Sequence, residues 1–195
     1  MIIKVYDWKV DVGVLSYQGY VFWGDCMLWV YLIALFAVSL DQLTKRLGEL
    51  QLKPIGDVPL IDNVLHLTYV ENTGAAFGML SGMRWFFIIA SLAAVVGIAI
   101  YLRRRKLPFH RMELISLGMI MGGAIGNMLD RLLLASVTDF IYVKLINFAI
   151  FNVADSFVTV GATLMCVYIL FIHEKYAKSL EPAPAVSTDA EQPES

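Results

Sequence analysis

Four apolar runs constrain this chain more than any other feature of its sequence. They are residues 27–40, 85–102, 114–129 and 156–172. A helix needs about 20 apolar residues to cross the hydrocarbon core of a bilayer, so the shorter runs must use flanking residues or a thinned bilayer. Because one short chain carries all four, buried helices of a soluble core explain them poorly. We expect an all-α membrane protein with four transmembrane helices.

The composition agrees with lipid as the solvent. Charged residues make up 16% of the chain, whereas a soluble domain usually carries about 25%. The basic residues form no surface stripe, so we expect no nucleic-acid partner. Cys26 and Cys166 both lie in apolar surroundings without a CxxC or Cys/His cluster. The cysteines therefore give no indication of a zinc site.

Basic residues predict the orientation of the chain. The segment 103–111, RRRKLPFHR, joins the second and third runs, and Lys175 and Lys178 follow the fourth. Basic residues in short loops stay cytoplasmic, and this cluster outweighs the scattered basic residues after the first run. We expect both termini to be cytoplasmic and the loops 41–84 and 130–152 to be extracytoplasmic.

The two ends of the chain differ from its centre. Residues 1–26 mix aspartates with aromatics; they are either an interfacial anchor or an extension preceding a true start at Met27, which we favour. Residues 179–195 are rich in proline, alanine and acidic side chains and are expected to be a disordered cytoplasmic tail. The membrane domain is then 27–178.

The extracytoplasmic loops carry some extended structure. The segment 64–70, VLHLTYV, alternates weakly between apolar and polar side chains, which indicates a strand. Residues 140–151 fit either a strand or an interfacial helix. We expect a small β-structure outside the membrane.

Polar residues gather at one end of the predicted bundle. They are Asp41 at the first helix, Asn127, Asp130 and Arg131 at the third, and Asn152 and Asp155 at the fourth. The external loops add ENTGAAFG at 71–78 and VTDF at 137–140. Charges at membrane depth are costly and indicate function. Their convergence at one depth predicts a shared site.

Each motif also has a purely structural interpretation. Asn152 and Asp155 fit a helix capping box. Asp130–Arg131 fits an interfacial ion pair, Asp41–Lys45 an i,i+4 pair, and residues 71–74 a turn. The three histidines, His66, His110 and His173, show no partner spacing, so serine or cysteine chemistry lacks a base.

Carboxylates remain as the candidate catalytic groups. Two adjacent carboxylates cannot both ionise easily, so one serves as base and the other as acid against an amide. Asp155 is best placed, at a helix start, and Asp139 precedes an apolar stretch leading back to it. Residue types alone leave Asp41 and Asp130 open as alternatives.

Five motifs together resemble the lipoprotein signal peptidase family, also called signal peptidase II. They are DQLTK at 41–45, ENTGAAFG at 71–78, GGAIGNMLDR at 122–131, VTDF at 137–140 and FNVADS at 151–156. The resemblance covers about residues 27–173, in order, with a slightly short interval between the last two motifs. Any one motif alone would not be specific.

The resemblance implies an aspartyl endopeptidase that needs no metal or other cofactor. It implies a bacterial inner-membrane enzyme whose extracytoplasmic site cuts diacylglyceryl-modified prolipoproteins before the lipidated cysteine, with membrane lipid as surroundings. It assigns catalysis to Asp139 and Asp155, substrate orientation to Asn72, Asn127, Arg131 and Asn152, and support to Asp41, Lys45 and Asp130.

Other functions fit the sequence less well. A small four-helix transporter or proton relay would place polar residues along a path through the bilayer, but here they stop at one end. A scaffold subunit needs no paired aspartates. Presenilin-like proteases place their aspartates well inside helices.

Overall fold

The computed structural model describes residues 23–105 and 108–180. Residues 1–22 and 181–195, which make up most of the predicted extension 1–26 and of the predicted tail 179–195, lie outside the described residues, as do Lys106 and Leu107. The elements in chain order are α1 Trp23–Gln51, β1 Asp57–Ile61, β2 Leu65–Asn72, a 3₁₀ turn Ala76–Gly78, α2 Arg84–Arg104, α3 Arg111–Leu134, β3 Val137–Val143, a 3₁₀ turn Lys144–Ile146, α4 Val153–Val167, a π turn Tyr168–Ile172 and α5 His173–Ser179.

The predicted fold class is confirmed. Four helical stretches are long and apolar enough to cross a membrane: Met27–Gln51, Arg84–Arg104, Arg111–Leu134 and Val153–Ser179. Each extends beyond the apolar run from which it was predicted. In α1 the helix continues past residue 40 because the following residues are mostly strong helix formers and the next proline is Pro54. Asp41 and Lys45 consequently lie within α1, one turn apart.

Helix α3 is the centre of the bundle, packed against α1, α2 and α4. Small residues make the contacts close, as is common between membrane helices. A Cβ at Gly122 would lie 2.6 Å from Ala37 Cβ of α1, and one at Gly123 would lie 2.5 Å from the Ala154 carbonyl of α4. Backbone approach at these glycines therefore determines how closely the polar ends of α1 and α4 meet α3.

Gly123→Ala is expected to lower the free energy of unfolding by about 1–3 kcal/mol, because the added methyl overpacks the α3–α4 contact. Gly97→Ala on α2 is the matched control, since a Cβ there meets nothing within 4 Å, and alanine favours helix by up to about 1 kcal/mol. Thermal unfolding of both variants in detergent measures the difference. Equal midpoints would show that the α3–α4 contact tolerates a methyl group.

The three strands form an antiparallel sheet in the order β1-β2-β3. Strand β2 confirms the strand predicted at 64–70, and β3 with its 3₁₀ turn assigns the undecided segment 140–151 partly to a strand and not to an interfacial helix. Asn72 pairs with Val137 and Val70 with Asp139. This register brings the end of β2 beside Asp139.

The sheet packs against the C-terminal part of α1. A Cβ at Gly48 would lie 3.5 Å from the Phe140 ring, an ordinary packing distance, so α1 passes close beside β3 at this point. Beyond the sheet, Phe151 forms an antiparallel bridge with Ile141. That bridge returns the chain to β3 immediately before α4 begins.

The opposite end of the bundle has its own buried polar contacts. Glu113 of α3 is 1% exposed and pairs with Arg105 and with the Tyr101 hydroxyl. His110 caps α3 and stacks on Tyr168 at a centroid distance of 5.4 Å. These contacts join the ends of α2, α3 and α4 far along the helices from the sheet.

Candidate active site

A buried polar cluster lies where α1, α3, α4 and the sheet meet. The structure brings every predicted site residue into it through direct or shared contacts. Its fully or nearly buried members are Asp41, Lys45, Asn127, Asp130, Arg131, Asp139 and Asn152. Asn72 and Asp155 complete it and are partly exposed. The partial exposure leaves these two side chains open to a bound molecule.

Asn152 links the two predicted catalytic aspartates. It caps α4: its side-chain oxygen accepts from the Asp155 backbone amide at 2.9 Å, and its backbone amide donates to Asp155 Oδ2 at 3.1 Å. Its Nδ2 donates to Asp139 Oδ1 at 2.6 Å. The capping box foreseen in the sequence is therefore present, and the same residue also holds the second carboxylate.

Each carboxylate oxygen of Asp139 and Asp155 accepts a hydrogen bond. Besides the two donors from Asn152, Asn72 Nδ2 donates to Asp139 Oδ2 at 2.9 Å and Asn127 Nδ2 to Asp155 Oδ1 at 2.7 Å. All of these donors are neutral amides. Because no cation among the described residues donates directly to either carboxylate, the pair can keep a proton between them.

The electrostatics of Asp139 support a retained proton. The pKa of Asp139 is raised from 3.8 to about 6, mainly by burial; the hydrogen bond from Asn72 opposes this rise, and the neighbouring Asp155 charge adds to it. A carboxyl with a pKa near 6 is poised to exchange a proton close to neutral pH.

Asn127 is oriented by its other contacts. Its Oδ1 accepts from Lys45 Nζ at 2.9 Å and from Asn152 Nδ2 at 3.1 Å. These bonds direct the Asn127 amide nitrogen toward Asp155. The orientation of the amide is thereby determined by its partners.

Asp41, Lys45 and Asp130 form a buried ionic group behind the asparagines. Lys45 Nζ lies 2.8 Å from Asp41 and 3.0 Å from Asp130. Gln42 Nε2 also donates to both carboxylates, at 3.2 and 2.9 Å. Gln42 was not among the predicted site residues, although it lies inside the DQLTK motif.

Arg131 contacts carbonyl groups in this structure. It donates to Gly74 O at 3.0 Å and to Asn127 O at 3.3 Å, and its guanidinium lies 4.6 Å from the centre of the Phe87 ring. Arg131 therefore ties the loop after β2 to α3 and α2. Its predicted contact with substrate remains a prediction.

A cavity of about 430 Å³ opens beside Asp139 on the sheet side. Phe77 and Phe148 meet edge to face across it at 6.3 Å, and Glu71 and Tyr142 also line it. Sequence reasoning missed Tyr142 and Phe148, because no motif or spacing signals a residue that lines a cavity only after the sheet forms.

The three histidines have partners other than the proposed catalytic pair, Asp139 and Asp155. His66 pairs with Asp57 on the sheet at 2.8 Å, while His110 and His173 contact Tyr168 at the opposite end of the bundle. Within the described parts of the chain, no group of three or more His, Cys, Asp or Glu side chains is arranged to hold a metal ion.

These features define a multi-pass membrane protein with a buried site of paired carboxylates. A sequence model of signal peptidase II matches residues 33–171. The chain belongs to the signal peptidase II family, and it is accordingly a membrane-embedded protease. Family membership gives no support to the transporter alternative.

Curated relatives and solved structures agree. The chain is 49% identical over 139 residues to the lipoprotein signal peptidase of Caldanaerobacter subterraneus subsp. tengcongensis, covering 71% of this chain and 94% of that protein. It is 40% identical over 150 residues to that of Bacillus subtilis, covering 76% and 97%. A bacterial membrane enzyme solved by the in meso method is similar with a TM-score of 0.68 and 30% identity, covering 79% of this chain and 93% of that one.

Proposed function

We propose that the chain is an aspartyl endopeptidase that removes signal peptides from diacylglyceryl-modified prolipoproteins by cutting before the lipidated cysteine. The observation that carries the proposal is the link between Asp139 and Asp155 through Asn152, together with the neutral amides that, within residues 23–105 and 108–180, are the donors to their oxygens. The names of the relatives support the substrate.

The mechanism assigns one proton to the pair. Asp155 removes a proton from a water molecule as the water oxygen attacks the scissile carbonyl carbon. At the same time, Asp139 donates its proton to the carbonyl oxygen. When the tetrahedral intermediate collapses, the proton on Asp155 passes to the leaving nitrogen and Asp139 recovers a proton from the hydroxyl of the intermediate. The water supplies both the new hydroxyl of the signal peptide and the proton on the new amine.

The position of the site suits a lipid-anchored substrate. The aspartates lie at the end of the bundle next to the sheet, and a diacylglyceryl group would keep the scissile bond near the membrane surface. Arg103, Arg104 and Arg111 lie at the other end. We propose that this basic end is cytoplasmic and that the site faces the extracytoplasmic side, with both termini cytoplasmic.

A lipobox peptide with a diacylglyceryl cysteine is expected to be cleaved before that cysteine by the purified protein in detergent. The unlipidated peptide of the same sequence is the control and should remain intact, because the lipid supplies much of the binding free energy. Mass spectrometry of the products measures both. Equal cleavage of the two peptides would contradict the proposed substrate, and cleavage of neither would contradict the proposed activity.

We expect kcat/KM to fall as the pH rises through about 6, the pKa of Asp139, by roughly tenfold per pH unit beyond it. The sign follows because Asp139 acts in its protonated form. Asn72→Leu removes a hydrogen bond that lowers this pKa, so the falling limb of the pH profile of kcat/KM should move to higher pH. A limb that stays in place in the variant would show that another group sets it.

A further inference from the structure

We propose that Asp41, Lys45 and Asp130 form a positioning frame that sets the separation of the two catalytic aspartates. This inference rests on the proposed aspartyl mechanism. It goes beyond general support of the fold because each member has a defined contact. Asp41 and Asp130 each bind the backbone next to one catalytic aspartate, and Lys45 joins these two carboxylates.

The two carboxylates of the frame bind the backbone one residue before each catalytic aspartate. Asp41 Oδ1 accepts from the Ala154 amide at 2.9 Å, and Ala154 precedes Asp155. Asp130 Oδ2 accepts from the Thr138 amide at 3.2 Å, and Thr138 precedes Asp139. Helix α4 and strand β3, which carry the catalytic residues, are thus each held by one buried carboxylate.

Lys45 joins the two holding carboxylates. Its ammonium lies 2.8 Å from Asp41 Oδ2 and 3.0 Å from Asp130 Oδ2, and its side chain is 5% exposed. Gln42 adds a neutral second bridge. Without the ammonium, two buried carboxylates would repel each other in a medium of low dielectric constant. The start of α4 would then separate from β3.

Close packing prevents the frame from relaxing freely. A Cβ at Gly126 would lie 2.5 Å from Asp41 Oδ2, so the α3 backbone packs directly against this carboxylate. Lys45 also donates to Asn127, which in turn donates to Asp155. A displacement of Lys45 is therefore transmitted to Asp155 by two routes, through the Ala154 amide and through Asn127.

The frame has an electrostatic effect that distinguishes it from a purely structural support. The positive charge of Lys45 lowers the pKa of Asp139, against the larger effect of burial. Loss of this charge should raise that pKa. In the part of the chain that the structure describes, the charged groups near Asp139 are Lys45 from α1, Arg131 from α3, Asp155 from α4 and Glu71 from β2, and Asp130 of α3 lies next to Arg131.

Lys45→Met tests the frame, because methionine keeps much of the length but removes the charge. We expect kcat per folded enzyme on the diacylated peptide to fall by about 100-fold, as misplacement of reacting groups does. The falling limb of the pH profile should move to higher pH. Arg105→Met is the matched control: it breaks the buried pair with Glu113 at the opposite end of the bundle and should change neither kcat nor the limb.

Two substitutions at Asp130 provide a second test that does not depend on the Lys45 variant folding. Asn at 130 keeps an oxygen that can accept from the Thr138 amide, whereas Leu does not. Asp130→Asn should therefore retain partial kcat, and Asp130→Leu should lose at least about tenfold more. Equal activity of the two variants would overturn the proposed role of the Asp130–Thr138 contact.

Other outcomes also separate the alternatives. If Lys45→Met kept the wild-type kcat and the wild-type falling limb of the pH profile, the proposed positioning role of the frame would be wrong. The same changes in Arg105→Met would overturn it too, by showing that any lost ion pair has this effect. If Asp139→Asn retained wild-type cleavage, the aspartyl mechanism itself would fail, whatever the Lys45 variant does.

Discussion

Replacing either Asp139 or Asp155 with asparagine is expected to abolish cleavage of the diacylated peptide while leaving the protein folded. Asparagine has the size of aspartate but cannot accept or deliver the catalytic proton. We expect kcat to fall by at least about 1,000-fold in each variant. Single-turnover cleavage per folded enzyme, with folding checked by thermal unfolding, measures this effect.

The double variant and two controls make the test specific. Because the two carboxylates act as one unit, the double variant should be scarcely worse than either single variant. Asp62→Asn, in the exposed turn between β1 and β2, should keep wild-type activity. Asp130→Asn should lose activity only in part. Substantial turnover by Asp139→Asn, with none by a folded Asp130→Asn, would mean that the catalytic pair is a different one.

Substitution of Asn152 is expected to have the second largest effect on activity. This side chain is fully buried and contacts both proposed catalytic aspartates, Asp139 and Asp155. Asn152→Ser keeps a good helix cap, but its shorter side chain is not expected to reach Asp139. Asn152→Ala loses both the cap and the donor. Both variants should lose about 100-fold or more in kcat.

The two variants separate capping from positioning. Loss of the cap costs about 1 kcal/mol, so Asn152→Ala should unfold at a lower temperature than Asn152→Ser. The two should be similarly inactive, because both lose the donor to Asp139. High activity in Asn152→Ser would show that the contact with Asp139 is dispensable and that the residue is only a cap.

Much of the architecture follows from local features of the sequence. The apolar runs predict the four membrane helices, since the bilayer requires a continuous apolar stretch for each crossing. The alternation at 64–70 predicts strand β2. The spacing of Asn152 and Asp155 predicts the capping box at the start of α4, because this motif is complete within four residues.

The choice of aspartates needed more than local pattern. Residue types alone left Asp41, Asp130, Asp139 and Asp155 as candidates. Position at a helix start favoured Asp155, and the family resemblance decided for Asp139 as its partner. Depth in the membrane does not separate them, because all four lie near one end of the bundle. What separates them in the structure is their partners: neutral amides for Asp139 and Asp155, a lysine for the other two.

The sequence by itself therefore determined the membrane class, the helices and the set of polar residues at one end. The tertiary structure alone decided the partners of these polar residues: Arg131 donates to carbonyl groups, Gln42 joins two carboxylates, and Asp41 and Asp130 accept from the backbone amides of Ala154 and Thr138. The physical reason is that these bonds join side chains to partners on other helices and strands. Such pairings leave no periodicity or local spacing in the chain and exist only once α1, α3, α4 and β3 have packed together.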